Sequence, residues 1–404
     1  MRRWMVLLAG LAAAAALVAP RAAASPERFI VHEWGTFTSV SGQAGVQLDW
    51  RPLDGKTTDL PGFVYTLASG ERGTRFPPGS VPRGKGGIEG RVRMETPVVY
   101  FYSGHDRKVS LSVRFPGGTI TEWYPRARSV AGDAIDWGTF TVLGDTSEKT
   151  PPRLLVEKAP SHYYPAREVD SSPLRVGSSA GNEYEKFLFY RGVGSFELPL
   201  SARVDKSGVI LRAAAGASVG TVILYERHGD KLGWRRAELG AGAEAILERP
   251  VVGSGSRFKL VAELAVLLAR QGLTPHEVNA MLATWRDSWF EDGLRVFYVL
   301  PTAATAAALP MTIDPRPDEL VRVLVGRVEL ITPEVEKAAL DTLEAVDPAC
   351  PDSIASARAT LEARHGRFAR AVLAELLRET HDRGQEQRIA AVLASSETEA
   401  EPEE

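Results

Sequence analysis

Residues Arg28–Leu53 read RFIVHEWGTFTSVSGQAGVQLDWRPL, and the centre of this stretch decides the fold class. Its middle, Glu33-Trp34-Gly35-Thr36-Phe37-Thr38, returns as Asp136-Trp137-Gly138-Thr139-Phe140-Thr141. An acid followed by Trp-Gly-Thr-Phe-Thr does not recur easily by chance. The pair predicts an internal repeat, a β-structural unit used twice, that could bear a ligand surface.

Outward from the repeat, the chain from Phe29 to about Val252 has β texture. Val98-Val99-Tyr100-Phe101-Tyr102 is apolar enough for a strand buried on both faces. Val109, Leu111, Val113 and Phe115 alternate with Ser110, Ser112 and Arg114, the pattern of a half-exposed strand. Ser103–Asp106 is expected to close these two into a hairpin. Further strands are expected at Ile120–Tyr124, Leu154–Glu157, Lys186–Tyr190, Val209–Ala213, Val219–Arg227 and Trp234–Glu238. The last two are joined by a turn at His228-Gly229-Asp230. Many short strands separated by Gly and Pro favour one or two antiparallel sandwiches. The Gly70–Gly90 run, rich in Gly, Pro and basic residues, predicts a long loop.

The texture changes near Gly253. Helices are expected at Phe258–Arg270, from Thr274-Pro275 to about Glu291, and at Pro333–Ala345, Ser353–Arg364 and Phe368–Arg378. Strands are expected among them at Arg295–Leu300 and Leu320–Leu330. The expected fold is α+β. An N-terminal antiparallel β-sandwich region covers residues 25–252, a smaller mixed, mainly helical region covers 253–394, and a disordered acidic tail covers 395–404.

The chain has 404 residues and a net charge of −3. Arg2 and Arg3, the apolar run Met5–Val18 and Ala22-Ala23-Ala24 have the form of a signal peptide over residues 1–24. The apolar run is short for a membrane span and no second one follows, so no transmembrane segment is expected after its removal. Loss of a leader carrying Arg2, Arg3 and Arg21 takes the charge to about −6, which leaves no basic excess for nucleic acid. The expected location is periplasmic or secreted. Cys350 is the one cysteine, so no internal disulfide forms, and it reads as an incidental thiol.

Acid–Trp pairs also occur at Asp49-Trp50 and Glu122-Trp123. An aromatic face can stack on a sugar ring while carboxylates accept from its hydroxyls. On that reading His32, Trp34, Asp136 and Trp137 are ligand-binding. Adjacent strand residues point to opposite faces, so the same pairs also read as a core Trp beside a solvent-facing acid, and His32 as a structural histidine. The densest polar cluster is His162–Asp170, HYYPAREVD. It supplies a base (His162), two phenols (Tyr163, Tyr164), a carboxylate clamp (Arg167) and an acid (Asp170). It could run acid–base hydrolysis with His162, Asp170 and Glu33 as the catalytic groups, hold a polar ligand, or tie two sheets together. No His- or Cys-based metal spacing is present, so no metal site and no cofactor are expected. Gly177–Gly181 matches G-x-S-x-G, but a strand-like run follows it where a nucleophile elbow needs a helix.

VHEWGTFTSV, METPVVYFYS, HYYPAREVDSSPLRV, EYEKFLFYRG, TWRDSWFEDGLRVFYVLP and ELVRVLVGRVELITPE together resemble a family of exported bacterial proteins of uncharacterised function. The resemblance implies a whole exported protein and brings no activity, ligand or catalytic residue with it. Three functions are therefore carried forward. The first is a non-catalytic binding protein for envelope glycan or another polar polymer. The second is a secreted hydrolase. The third is a structural or assembly partner that docks through its C-terminal helices.

Overall fold

The computed structural model describes residues 28–53, 60–67, 72–74, 88–144, 153–178 and 181–398. The expected signal peptide, most of the Gly70–Gly90 run and the end of the acidic tail lie outside these residues. The chain lays down β1 (Phe29–Ser41), β2 (Tyr65–Leu67), β3 (Arg72–Thr74), β4 (Val92–Ser103), β5 (Arg107–Arg114), β6 (Gly118–Tyr124), β7 (Ser129–Ala131) and β8 (Ala134–Val142). A 3-10 turn at Tyr164–Arg167 precedes β9 (Leu174–Ser178), β10 (Gly181–Glu185), β11 (Leu188–Gly194), β12 (Leu200–Asp205), β13 (Gly208–Ala213), β14 (Gly220–His228), β15 (Lys231–Leu239) and β16 (Glu244–Leu247). Helices α1 (Arg257–Arg270) and α2 (Pro275–Thr284) follow, then β17 (Gly293–Val299), α3 (Thr302–Ala308), β18 (Met311–Asp314) and β19 (Glu319–Leu330). Helices α4 (Pro333–Leu343), α5 (Pro351–His365), α6 (Ala369–Glu379) and α7 (Arg383–Thr398) complete the described chain. The fold is α+β. No described helix is long and apolar enough to cross a membrane.

Ten strands form one sheet in the order β15-β14-β17-β19-β1-β4-β11-β6-β2-β3. Its centre is β1, all thirteen residues of which are buried. β1 runs parallel to β19, from Ile30 opposite Glu319 to Ser41 opposite Leu330, and antiparallel to β4. A second sheet, β10-β9-β8-β5-β18 with β7 against β8, packs on one face of the first. Phe101 of β4 meets Phe140 of β8 edge-on at 5.3 Å, and Trp137 of β8 meets Tyr190 of β11 at 5.9 Å. Strands β12, β13 and β16 make a third, small sheet.

The two Trp-Gly-Thr-Phe-Thr units therefore lie in different sheets, in β1 and β8, and each sits at a break in its ladder. Opposite Gly35, β4 has an extra residue, and a side chain at Gly35 would come within 3.0 Å of the Pro97 backbone. In the second copy the bulge is in β8 itself, where Gly138 takes φ +63°, a conformation glycine adopts without strain. Each glycine is thus required by its ladder break.

Three expectations about topology are corrected. The turn Ser103–Asp106 does not close a hairpin: β4 pairs with β1 and β11 in the large sheet, while β5 pairs with β8 and β18 in the second. The difference between the two strands is physical. The continuous apolar run of β4 suits a sheet covered on both faces, whereas the alternation of β5 suits a sheet with one outer face. Leu154–Glu157 forms no strand, because its backbone is taken by side chains of the neighbouring loop: Arg167 Nη1 donates to Leu155 O and Glu157 N–H donates to Tyr164 Oη. The division expected at residue 253 falls inside the large sheet, because β17 and β19 return to pair with β14 and β1. The hairpin at Gly229-Asp230 forms as expected, with His228 opposite Lys231.

The far end of β1 feeds a second core. Val40, Leu48 and Trp50 pack with Ala339 and Leu343 of α4, Leu361 of α5, Phe368, and Val372 and Leu376 of α6. The C-terminal helices are thereby fastened to the opening strand of the large sheet.

Candidate functional site

β1 carries charged residues through the centre of the protein, and each is met by a partner from a distant element. Glu33 points toward the second sheet. It accepts from Arg322 Nε at 2.6 Å and from the hydroxyl of Tyr190. Arg322 donates its Nη1 to Leu309 O at 2.8 Å. Burial pushes the Tyr190 hydroxyl well above its usual range, and the Glu33 charge pushes it further. Glu33 is therefore a buried structural partner of Arg322.

His32, on the other face of β1, reaches α2. Thr274 and Glu277 form a capping box, in which the Thr274 side chain accepts from Glu277 N–H and Glu277 Oε2 accepts from Thr274 N–H at 2.7 Å. The same carboxylate accepts from the Tyr102 hydroxyl at 2.8 Å and lies 2.9 Å from His32 Nδ1. A carboxylate already accepting from two groups leaves Nδ1 to donate, so the imidazole proton sits on Nδ1. Glu277 thus does three jobs, and His32 is a buried brace between sheet and helix.

The remaining expected ligand residues are mostly in the core. Trp34 is 0% and Trp137 3% exposed, and neither offers a ring face to a sugar. Trp137 donates to Pro125 O at 3.0 Å, and Asp136 binds Gly138 N–H at 2.6 Å and pairs with Arg128, so this acid holds the bulge in place. Tyr163 is buried against Phe187 and Phe189 and donates to Glu185 at 2.9 Å. Arg167 grips the same Glu185 through Nε and Nη2, at 3.0 and 2.6 Å. The clamp expected at Arg167 exists, but it holds a carboxylate of this chain. Tyr164 is half-buried beside the Arg167 guanidinium, 5.2 Å from ring centre to Cζ. The physical reasons differ by element. β1 is covered on both sides, so alternation no longer separates core from surface there. In β8 alternation holds, but it puts Trp137 inside and leaves Asp136 half-buried beside it. At the 3-10 turn Tyr163 and Arg167 are taken up by Glu185.

His162 and Asp170 stay at the surface. Asp170 Oδ2 lies 2.5 Å from His276 Nδ1, at the first turn of α2, and His162 Nε2 lies 3.6 Å from Asp287 Oδ2. Asp170 is 79% exposed and His276 54%. The two His–carboxylate pairs flank the contact of the 3-10 turn with α2. His276 and Asp287 had no signal in their spacing. Glu277 did, since Thr274-Pro275-His276-Glu277 has the capping-box form.

A further polar centre lies where β1 and β4 meet the C-terminal helices. Glu95 accepts from Thr38 Oγ1 at 3.1 Å and pairs with Arg367. Arg327 of β19 pairs with Glu291 and with Glu329 at 2.9 Å, and Arg295 holds Glu329 at 3.0 Å. Burial alone would raise the Glu95 carboxyl, but Arg367, Arg93, Arg327 and Arg191 outweigh it and bring it down to about 2.

No protein-family model and no curated protein matches the sequence. Among solved structures, the Fcho1 Mu homology domain of Danio rerio with bound Eps15 peptide is similar at 9% identity and a TM-score of 0.30. That likeness covers 77% of this chain and 100% of that one, and at this level it carries no argument about function.

Proposed function

We propose that the protein is an exported, non-catalytic binding protein for envelope glycan or another polar polymer. Its recognition surface is the patch made by His162 and Asp170 with His276 and Asp287 of the α2 region. One observation carries this reading. Of the groups that could meet a ligand, Glu33, His32, Tyr163 and Arg167 are already bound inside the protein, while Asp170 stands 79% exposed against His276. Exposed carboxylates accept from sugar hydroxyls and imidazoles both donate and accept, so recognition here is by hydrogen bonds without stacking. Calorimetric titration of residues 25–404 with soluble envelope saccharides tests it. Saturable binding weakened about tenfold or more in Asp170→Ala and in His276→Ala supports the surface. Binding that both variants leave unchanged removes it.

The 2.5 Å contact of Asp170 with His276 favours a second reading, a hydrolase. A carboxylate on Nδ1 orients the ring and leaves Nε2 as a general base. Release of reducing ends from the same saccharides, lost in His276→Ala, would select it over simple binding. An assembly role through the C-terminal helices has less support. The large exposed apolar residues among those described are Val46, Leu155, Val156, Ile246, Val251, Phe258, Val266 and Leu320, and none is on α4 to α7.

A further inference from the structure

Three carboxylates converge where β1 leaves the large sheet. Glu336 comes from α4, and Glu375 and Glu379 come from one face of α6, a turn apart. One oxygen of each lies within 4.8 Å of the other two. Two oxygens that bind one calcium-sized ion at 2.3–2.6 Å are separated by at most about 5 Å, so a single ion can touch all three. The cluster is built into the fold. Gln43 N–H donates to Glu375 Oε1 at 3.0 Å, and the Gln43 side chain holds Glu336. A methyl group at Gly42 would run into the Glu375 carboxylate, so the turn after β1 leaves room for that group alone.

A separate observation points to a ligand. Glu336 is only 7% exposed, and its Oε1 has no hydrogen-bond partner among the described residues. A buried carboxylate oxygen left without a donor is destabilising, more so when charged. Arg378 does not meet that need: it donates to both oxygens of Glu375 at 2.9 Å and to Glu379 at 3.1 Å, but not to Glu336. Three carboxylates and one guanidinium sum to a formal charge of −2, which one divalent cation cancels.

We propose that Glu336, Glu375 and Glu379 bind one hard divalent cation, of the class Ca²⁺, Mg²⁺ or Mn²⁺, between α4, α6 and the turn Gly42-Gln43. All-oxygen donors select that class over the softer transition metals. The ion would fasten β1 to the helical core. The proposal is independent of the Asp170 surface, and it departs from the sequence expectation of no metal because its ligands are all glutamates, with Glu336 on a different helix from Glu375 and Glu379.

The test uses residues 25–404 stripped with EDTA and titrated calorimetrically with CaCl₂, MgCl₂ and MnCl₂, each alone. One ion per chain is expected for at least one of them, with a rise in melting temperature that follows ion concentration by mass action. Glu336→Gln and Glu379→Gln should each weaken binding by about tenfold or more. Glu379 ends α6 at the surface, so its variant keeps the test open if Glu336→Gln does not fold. No saturable one-ion binding by any of the three salts, or binding that Glu379→Gln leaves unchanged, overturns the proposal.

Discussion

Glu95 and Glu336 are both buried glutamates beside the course of β1, and they behave in opposite ways. Glu95 sits among Arg367, Arg93, Arg327 and Arg191, which hold its carboxyl down at about 2. Glu336 sits where burial, Glu379 and Glu375 push its carboxyl up to about 7, against a smaller pull from Arg378. Burial alone raises both. The neighbours decide the outcome: arginines supplied by β4, β11, β19 and the α5–α6 junction close one site, and carboxylates supplied by α4 and α6 leave the other short of positive charge. The first is a finished internal ion pair. The second is a place that a proton or a cation can complete.

The largest effect expected from this contrast is at the closed site. Glu95→Ala removes the acceptor that Arg367 and Thr38 share and leaves buried guanidinium groups facing one another. Breaking one side of a buried pair costs about 3–5 kcal/mol, and urea unfolding of the variant should show a loss of that size. A loss below about 1 kcal/mol would mean that the arginines have other acceptors and that the pair is not what closes the site.

The pH dependence follows with opposite signs at the two centres. The Glu95 carboxyl is lower in the folded chain than the ordinary 4.5, so its stabilisation is complete above pH 4.5 and is lost as the pH falls towards about 2. Acid unfolding between those values should be shallower in Glu95→Gln. The Glu336 carboxyl is higher in the folded chain, so the protein is favoured below pH 4.5 and loses that advantage as the pH rises through about 7. In EDTA, Glu336→Gln should therefore melt higher than the parent at pH 8 and alike at pH 4.5. A variant less stable than the parent at pH 8 in EDTA would show that Glu336 is already compensated.

Legibility in the sequence divides along the same line. The alternation in β5, the apolar run of β4 and the Thr274-Pro275 start of α2 are local signals, and each gave its element. The parallel pairing of β1 with β19 has no local signal, because the paired residues lie 289 positions apart in the chain. Charged residues within strands carry the weakest local signal. Glu33, Glu95, Arg322, Arg327 and Glu329 alternate with apolar residues as if half of each strand faced water, yet all are buried or nearly so. The second sheet and the helices cover both faces, and the charges are matched across the fold, where spacing along one strand carries no information. The acid–Trp pairs misled for the same reason: both members of Glu33-Trp34 are inside.

The smallest expected effect calibrates the others. Asp170 and His276 also set a carboxylate beside a hydrogen-bonding partner, but in water, with both side chains more than half exposed. A polar pair in that setting is screened and contributes about 0–1 kcal/mol. Asp170→Ala should therefore leave the urea midpoint within the range of that estimate, several-fold less than Glu95→Ala. This difference makes the surface usable for the functional test. If Asp170→Ala folds like the parent and loses saccharide affinity, the loss belongs to the patch. If it destabilises the chain as much as Glu95→Ala, then Asp170 braces α2 against the 3-10 turn, much as His32 braces α2 against β1. The recognition surface would then have to be sought elsewhere.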